Sequence, residues 1–216
     1  QPHFLPTLLQ LAVTLFQQAD DENLAMAALV QVKNFVRSHW RVDCGRDCFQ
    51  VRQLDRLAFL EAVWDANLQL AENYRSSKLM KDVVGMVGRE GEQHLGAAYE
   101  LLQEGRHLRA VLNYLLGMLA ALRYAFEPHH RAQLRSLVQH FLPAVYRLIC
   151  EGEQHMVRLY DATLSSHHHQ AQAAEFHLHK LFFDEIVYLG VKFSAKALQD
   201  NTIAANEQAF LHLAAV

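Results

Sequence analysis

An all-α fold is predicted: an α-solenoid, in which antiparallel helix pairs stack into a superhelix. Three observations predict it. Glycine and proline are scarce, 9 and 4 in 216 residues, so few breakers interrupt helical runs. Apolar residues recur at three- and four-residue steps along most of the chain. The helical units begin at intervals of roughly 40 residues, the period of architectures that stack helix pairs.

The elements follow in order. Residues 3–19 read as a helix with Pro6 in its first turn, where proline is tolerated. Asp20 and Asp21 break it, and the next helix follows at once over 21–40. Its apolar stripe is Leu24, Ala28, Val32, Phe35, Val36 and His39, while Lys33, Arg37 and Arg41 recur every fourth residue as a basic line. Asp21 and Glu22 occupy the first turn, where the helix dipole favours negative charge. A loop over 41–47, with Gly45 inside it, leads to a third helix over 50–66. There Val51, Leu54, Leu57, Ala58, Phe59, Leu60, Val63 and Trp64 are expected to face inward. The fourth helix, 67–87, is less regular because Tyr74, Ser76 and Ser77 interrupt its apolar stripe.

Gly85, Gly88 and Gly91 mark a break. Residues 92–103 resume as a helix with Leu95, Ala98, Tyr99 and Leu102 on one side, and Gly105 ends it. Residues 106–126 form the most apolar helix; Ala110, Gly117, Ala120 and Ala121 let another helix approach closely, and Pro128 closes the unit. A helix over 130–150 follows, with Pro143 expected to kink it. Residues 151–170 read as irregular, with a helical piece at 155–164 and a loop at 165–170. A long helix spans 171–198, its Lys192 and Lys196 toward the C-terminal end, and a last helix starts at Asn201. The repeats are therefore placed at 3–40, 50–87, 92–126 and 130–198, with another beginning at 201. That is the pattern of HEAT-type repeats, and the chain reads as the N-terminal region of a longer solenoid. A single closed helical bundle is the competing architecture.

Composition narrows the function. Hydrophobic residues make up 51% and charged residues 20%, as in ordinary globular proteins. A formal charge of -3 argues against a general affinity for nucleic acid or an anionic membrane. Arginine outnumbers lysine 14 to 6, which suits fork-like contacts with carboxylates. Cys44, Cys48 and Cys150 are too few and too scattered for a disulfide framework, so a reducing compartment is expected. The longest core-like run, 110–122, is about 13 residues, short of the roughly 20 a membrane span needs. The uncharged first 19 residues lack a basic leader, so no signal peptide is expected, and the absence of an initiator Met suggests an internal piece.

Catalytic patterns are weak. Glu104 with His107 and Glu127 with His130 match the Glu-x-x-His spacing of di-iron bundles. Gly105 and Pro128 put both pairs at helix ends, where the two side chains cannot project into a bundle core. His167, His168 and His169 are consecutive and read as a solvated loop; His177 and His179 lie nearly opposite each other on a helix. Cys44 and Cys48 lack the spacing of a redox or zinc pair. Glycine-rich phosphate loops, Gly-x-Ser-x-Gly and His-Glu-x-x-His motifs are absent. Neither an enzyme nor a cofactor is expected. The best surface signal is the Lys33, Arg37, Arg41 line, read either as a solvated face or as a docking site for an acidic protein surface. Arg106, Arg109 and Asn113 would join that site from the second helix of a later pair, with Arg123, Arg131 and Arg135 as possible extensions.

Residues 30–40, VQVKNFVRSHW, resemble the second helix of the first repeat in the importin-beta (karyopherin) superfamily, where a Leu-Lys-Asn segment is followed by a Trp. FLPTLLQ at 4–10 is similar to the preceding helix, and Leu54-Asp-Arg-Leu57 with Glu61 and Ala62 to the start of the next repeat. EPHHR at 127–131 and QHFLP at 139–143 resemble the fourth repeat of the importin seven and eight subgroup. Gly88-Arg-Glu-Gly-Glu92 stands where that subgroup has a Tyr-Pro-x-x-Trp turn. The resemblance implies a nuclear transport receptor that shuttles between cytoplasm and nucleus. Its N-terminal repeats would bind Ran-GTP on the concave side, protein cargo elsewhere on that surface, and phenylalanine-glycine nucleoporins between outer helices. By position Lys33, Asn34 and Arg37 match the Lys-Asn helix and are the Ran-binding candidates, while Trp40 is expected at a repeat junction. Arg109 and Asn113 are added from geometry. The competing function is a HEAT-repeat scaffold or regulatory subunit without Ran.

Overall fold

The computed structural model describes residues 4–18, 22–40, 51, 53–123, 127–165 and 169–199. Among them the protein is all-helical, with eight α-helices and no strand. These are α1 Phe4–Gln18, α2 Glu22–His39, α3 Gln53–Gln69, α4 Tyr74–Val87, α5 Leu95–Gln103, α6 Leu108–Leu122, α7 Pro128–Ser165 and α8 His169–Gln199. Short 3-10 turns at Gly88–Glu90 and Glu92–His94 join α4 to α5. Helices pack in sequential pairs, α1 on α2, α3 on α4, α5 on α6 and α7 on α8. Between pairs, α2, α4, α6 and α8 form a continuous row, while α1 packs on α3 and α5 on α7.

Local sequence explains each pair. In α1, Leu5, Leu9, Ala12 and Val13 are buried at helical period. In α2 the buried stripe is Ala25, Leu29, Val32 and Val36. That stripe corrects the expected one by a small rotation: Leu24 is 54% exposed, because Ala25 rather than Leu24 begins the face turned to α1 and α4. Trp40 is buried just past α2, against Phe59 of α3. It packs where the first helix pair meets the second.

The second pair is divided later than the periodicity suggested. α3 runs to Gln69, a turn follows, and Asn73 caps α4 by accepting from the backbone N–H groups of Arg75 and Ser76 at 2.9 and 3.1 Å. Ser76 and Ser77 do not interrupt the buried face of α4 but belong to it. Ser76 Oγ donates to the Leu70 carbonyl at 2.8 Å, so a hydroxyl is buried without loss. Leu54 and Leu57, expected inward, are exposed, and Arg56 on the same helix is buried instead. Its guanidinium donates to the Trp40 carbonyl at 2.6 Å, the Val51 carbonyl at 3.2 Å and Glu90 at 2.9 Å, and lies over the Trp40 ring.

The centre is α6, packed against α4 and α8 in its row and touched by α3, α5 and α7. It is buried except at Arg109 and Ala120. As its small residues suggested, the approach to α4 is close: a Cβ at Gly117 would stand 2.6 Å from Val84 Cγ1 and 2.9 Å from the Lys81 carbonyl oxygen. Gly105 (φ +69) ends α5 as expected, and Arg106 N–H closes that end by donating to the Leu101 carbonyl at 2.9 Å.

The last pair departs most from expectation. Pro128 opens α7 rather than closing the preceding unit, because a proline in the first turn sacrifices no intrahelical hydrogen bond. The helix then runs 38 residues, with Pro143 inside it, and continues through the stretch read as irregular. Polar residues beyond Cys150 lowered the apparent periodicity, yet they are helical because α8 pairs with them throughout. Gly190 meets Ile149 and Val145, Gly152 meets Phe183, His155 faces His179, and Tyr160 faces Phe176. Those contacts share one antiparallel register. Between Tyr146 and Glu185 no described residue is fully buried, so this half of the pair is a two-helix arm. The helix expected from Asn201 lies outside the described residues.

Candidate functional site

The residues singled out from the sequence divide into an exposed group and an internal one. Asn34 and Arg37 on α2 are exposed, on the side away from the Val32 and Val36 stripe. Lys33, between them and the core, is half-buried and donates to Asp82 of α4 at 2.6 Å, tying the first pair to the second. Arg41 lies outside the described residues. Lys33, Asn34 and Arg37 thus form a short polar strip on α2, in the row that continues through α4, α6 and α8.

Arg109 and Asn113 sit deeper than a contact surface requires. Asn113 is 7% exposed, and its amide donates to Ser77 Oγ at 2.7 Å across the α4–α6 seam. Arg109 Nε donates to Glu185 of α8 at 2.7 Å, and a second donor, Nη2, reaches the other carboxylate oxygen. Nη1 bridges to Glu72 Oε2 at 3.1 Å and to the carbonyls of Ala71 and Glu72. The hydrogen bond to Glu185 leads in holding the guanidinium pKa above its ordinary value, against the opposing effect of burial. Arg109 therefore clamps α6 to α8 and to the α3–α4 turn, and its fork is spent inside the chain. Arg106 is exposed and bonded to Glu104, while Arg131 and Arg135 are exposed on α7.

Two polar features were not visible from spacing. Arg56 reads as one exposed cation of an amphipathic helix, but it carries the joint between Trp40, Val51 and Glu90. His94 is buried, stacked on Trp64 with ring centroids 5.4 Å apart and edge-on to Tyr114. Burial pushes its pKa below the ordinary histidine value, with Glu61 opposing. Tyr114, buried beside it, donates its hydroxyl to the Gly91 carbonyl at 2.7 Å, and burial pushes its pKa well above the ordinary phenol value. No spacing in the sequence links the three: Trp64 lies within α3, His94 in the turn before α5 and Tyr114 in the middle of α6.

The pairs with Glu-x-x-His spacing lie where glycine and proline placed them. Glu104 and His107 flank the α5–α6 turn, and His130 meets Glu127 at 3.1 Å at the start of α7. Glu175 and His179 form an i, i+4 pair at 3.9 Å on α8. Among the described residues no group of three His, Cys, Asp or Glu could hold a metal ion, and no helix is long and apolar enough to cross a membrane. Cys44, Cys48, His167 and His168 lie outside the described residues.

The chain matches no family model, no curated protein and no solved structure.

Proposed function

We propose that this chain is the N-terminal HEAT-repeat segment of an importin-beta-like nuclear transport receptor. Its α2 strip, Lys33, Asn34 and Arg37, binds Ran in the GTP-bound form. The observation that carries this reading is the order of packing: second helices α2, α4, α6 and α8 adjoin one another in sequence order. In a stack of helix pairs such a row forms one side of a superhelix and offers a continuous protein-binding surface. Asn34 and Arg37 are exposed on the first helix of that row, and Asp82 orients Lys33 beside them. The likeness of residues 30–40 to the Lys-Asn helix of the superfamily assigns the ligand class. Cargo and phenylalanine-glycine nucleoporins belong to other parts of the same reading, as does shuttling between cytoplasm and nucleus. Arg109 and Asn113 act in it as supports of the row rather than as contacts.

The deciding experiment is titration with Ran loaded with GTP or GDP, comparing the native chain with an Asn34→Asp, Arg37→Glu variant. GTP-selective binding that the variant weakens, with helicity unchanged, is the expected result. Equal or absent binding of the two nucleotide forms sinks the transport reading and leaves a HEAT-repeat scaffold.

A further inference from the structure

The six lysines of the chain are unevenly placed. Lys78 and Lys81 stand three apart on α4, and Lys192 and Lys196 four apart on α8, so each pair shares a helix face. α6 lies between these helices and packs on both. Its Gly117 admits the Lys81 backbone of α4 to close range, and beside that contact α6 presents only a small side chain, Ala120, to solvent.

The resulting charges are poorly compensated. Lys81 is half-buried; burial and then Lys192 lower its pKa from the ordinary lysine value, Asp82 opposes them, and Lys196 and Lys78 press in the same direction as Lys192. Among the described residues Asp82 is the carboxylate that bears on Lys81, and Lys33 already holds it at 2.6 Å. Among the described residues Lys78, Lys81 and Lys196 have no ion-pair partner. Among those same residues Lys192 meets the Tyr188 hydroxyl at 3.3 Å and its ring at 5.2 Å. Tyr188 and Val191 beside it are 60% and 55% exposed, an apolar edge against a positive field.

We propose that the lysine cluster spanning α4 and α8, Lys78, Lys81, Lys192 and Lys196 with Tyr188 at its edge, is a docking site for an acidic protein segment. Carboxylates of consecutive Asp and Glu residues supply counter-charges to the four lysines, and a neighbouring apolar side chain rests on Tyr188 and Val191. The converging groups are lysines, compact point charges, rather than the arginine forks that favour bidentate phosphate binding. The net charge of -3 disfavours a long polyphosphate chain running past the cluster, whereas a short peptide feels mainly the local field. The site does not rest on the Ran reading, whose residues lie on α2.

Fluorescence anisotropy of a labelled oligo-glutamate peptide, with the whole chain titrated in, tests this. The native chain should bind it with an affinity that falls as salt rises. The Lys81→Gln, Lys192→Gln, Lys196→Gln variant should bind about tenfold or more weakly, as loss of several ion contacts requires. Lys180→Gln, outside the cluster, should bind as the native chain does. The triple variant should keep its helicity by circular dichroism; if it does not, Lys196→Gln alone should still weaken binding by about threefold. Absence of binding, an equal loss in Lys180→Gln, or tighter binding of a labelled oligouridylate of equal length would overturn the proposal.

Discussion

Gly117 of α6 lies against Val84 of α4 with no room for a methyl group, a Cβ there falling 2.6 Å from a Val84 methyl carbon. Both sides of the contact are fixed, since Val84 is β-branched and the Lys81 carbonyl is backbone. Gly117→Ala should destabilise the protein by about 2 kcal/mol, the range for overpacking a filled seam. Gly96 in α5 has nothing within 4 Å of its position, so Gly96→Ala should be neutral or stabilise by about 0.5 kcal/mol. Urea unfolding of both variants checks the pair; equal effects would mean the α4–α6 seam is loose.

Arg109 is a second lock on the same row. Removing it leaves Glu185 without its bidentate partner and frees the Glu72 turn, so Arg109→Ala should cost about 2 kcal/mol. Arg109→Lys should recover little of that, because one ammonium cannot serve Glu185, Glu72 and two carbonyls. Denaturation midpoints of the two variants would show it, and full recovery by lysine would refute the clamp.

The polar residues named from the sequence should separate in their effects. Asn34→Asp with Arg37→Glu changes exposed positions and should shift stability by less than about 0.5 kcal/mol. Asn113→Asp puts a carboxylate at a buried site facing Ser77 and should destabilise by about 2 kcal/mol or more. Thermal melts of both decide whether Asn113 is a support or a surface group.

His94 makes stability depend on pH. Its folded-state pKa lies below the ordinary 6.5, so on acidification the unfolded chain takes up this proton first. Its contribution is complete above about pH 6.5 and is lost as pH falls below that value. His94→Gln should flatten the stability profile below about pH 6.5 relative to the native chain. An unchanged slope would show that other histidines carry the acid sensitivity.

Tyr114 tests the aromatic cluster without changing its shape. Tyr114→Phe removes one hydrogen bond and leaves the Gly91 carbonyl buried, so a loss of about 1 kcal/mol is expected in equilibrium unfolding. A neutral result would mean that water replaces the hydroxyl.

Helix content, the order of the elements, the small-residue face of α6 and the glycine stop after α5 were all legible in the sequence, because period, breakers and glycine act within a few residues. The exposure of Asn34 and Arg37 on α2 was legible too, since any amphipathic helix must turn one side outward, whereas the Lys33 pairing with Asp82 was not. Which polar residues lie inside was not. Arg56, Asn113, Ser77 and Arg109 have partners 16 to 76 positions away, and only packing brings those partners within hydrogen-bonding reach. The length of α7 was hidden for the same reason: its polar half is helical through the pairing of Gly152 with Phe183 and Tyr160 with Phe176. Local propensity therefore set where helices form, and long-range contact decided which faces, charges and hydroxyls are removed from water.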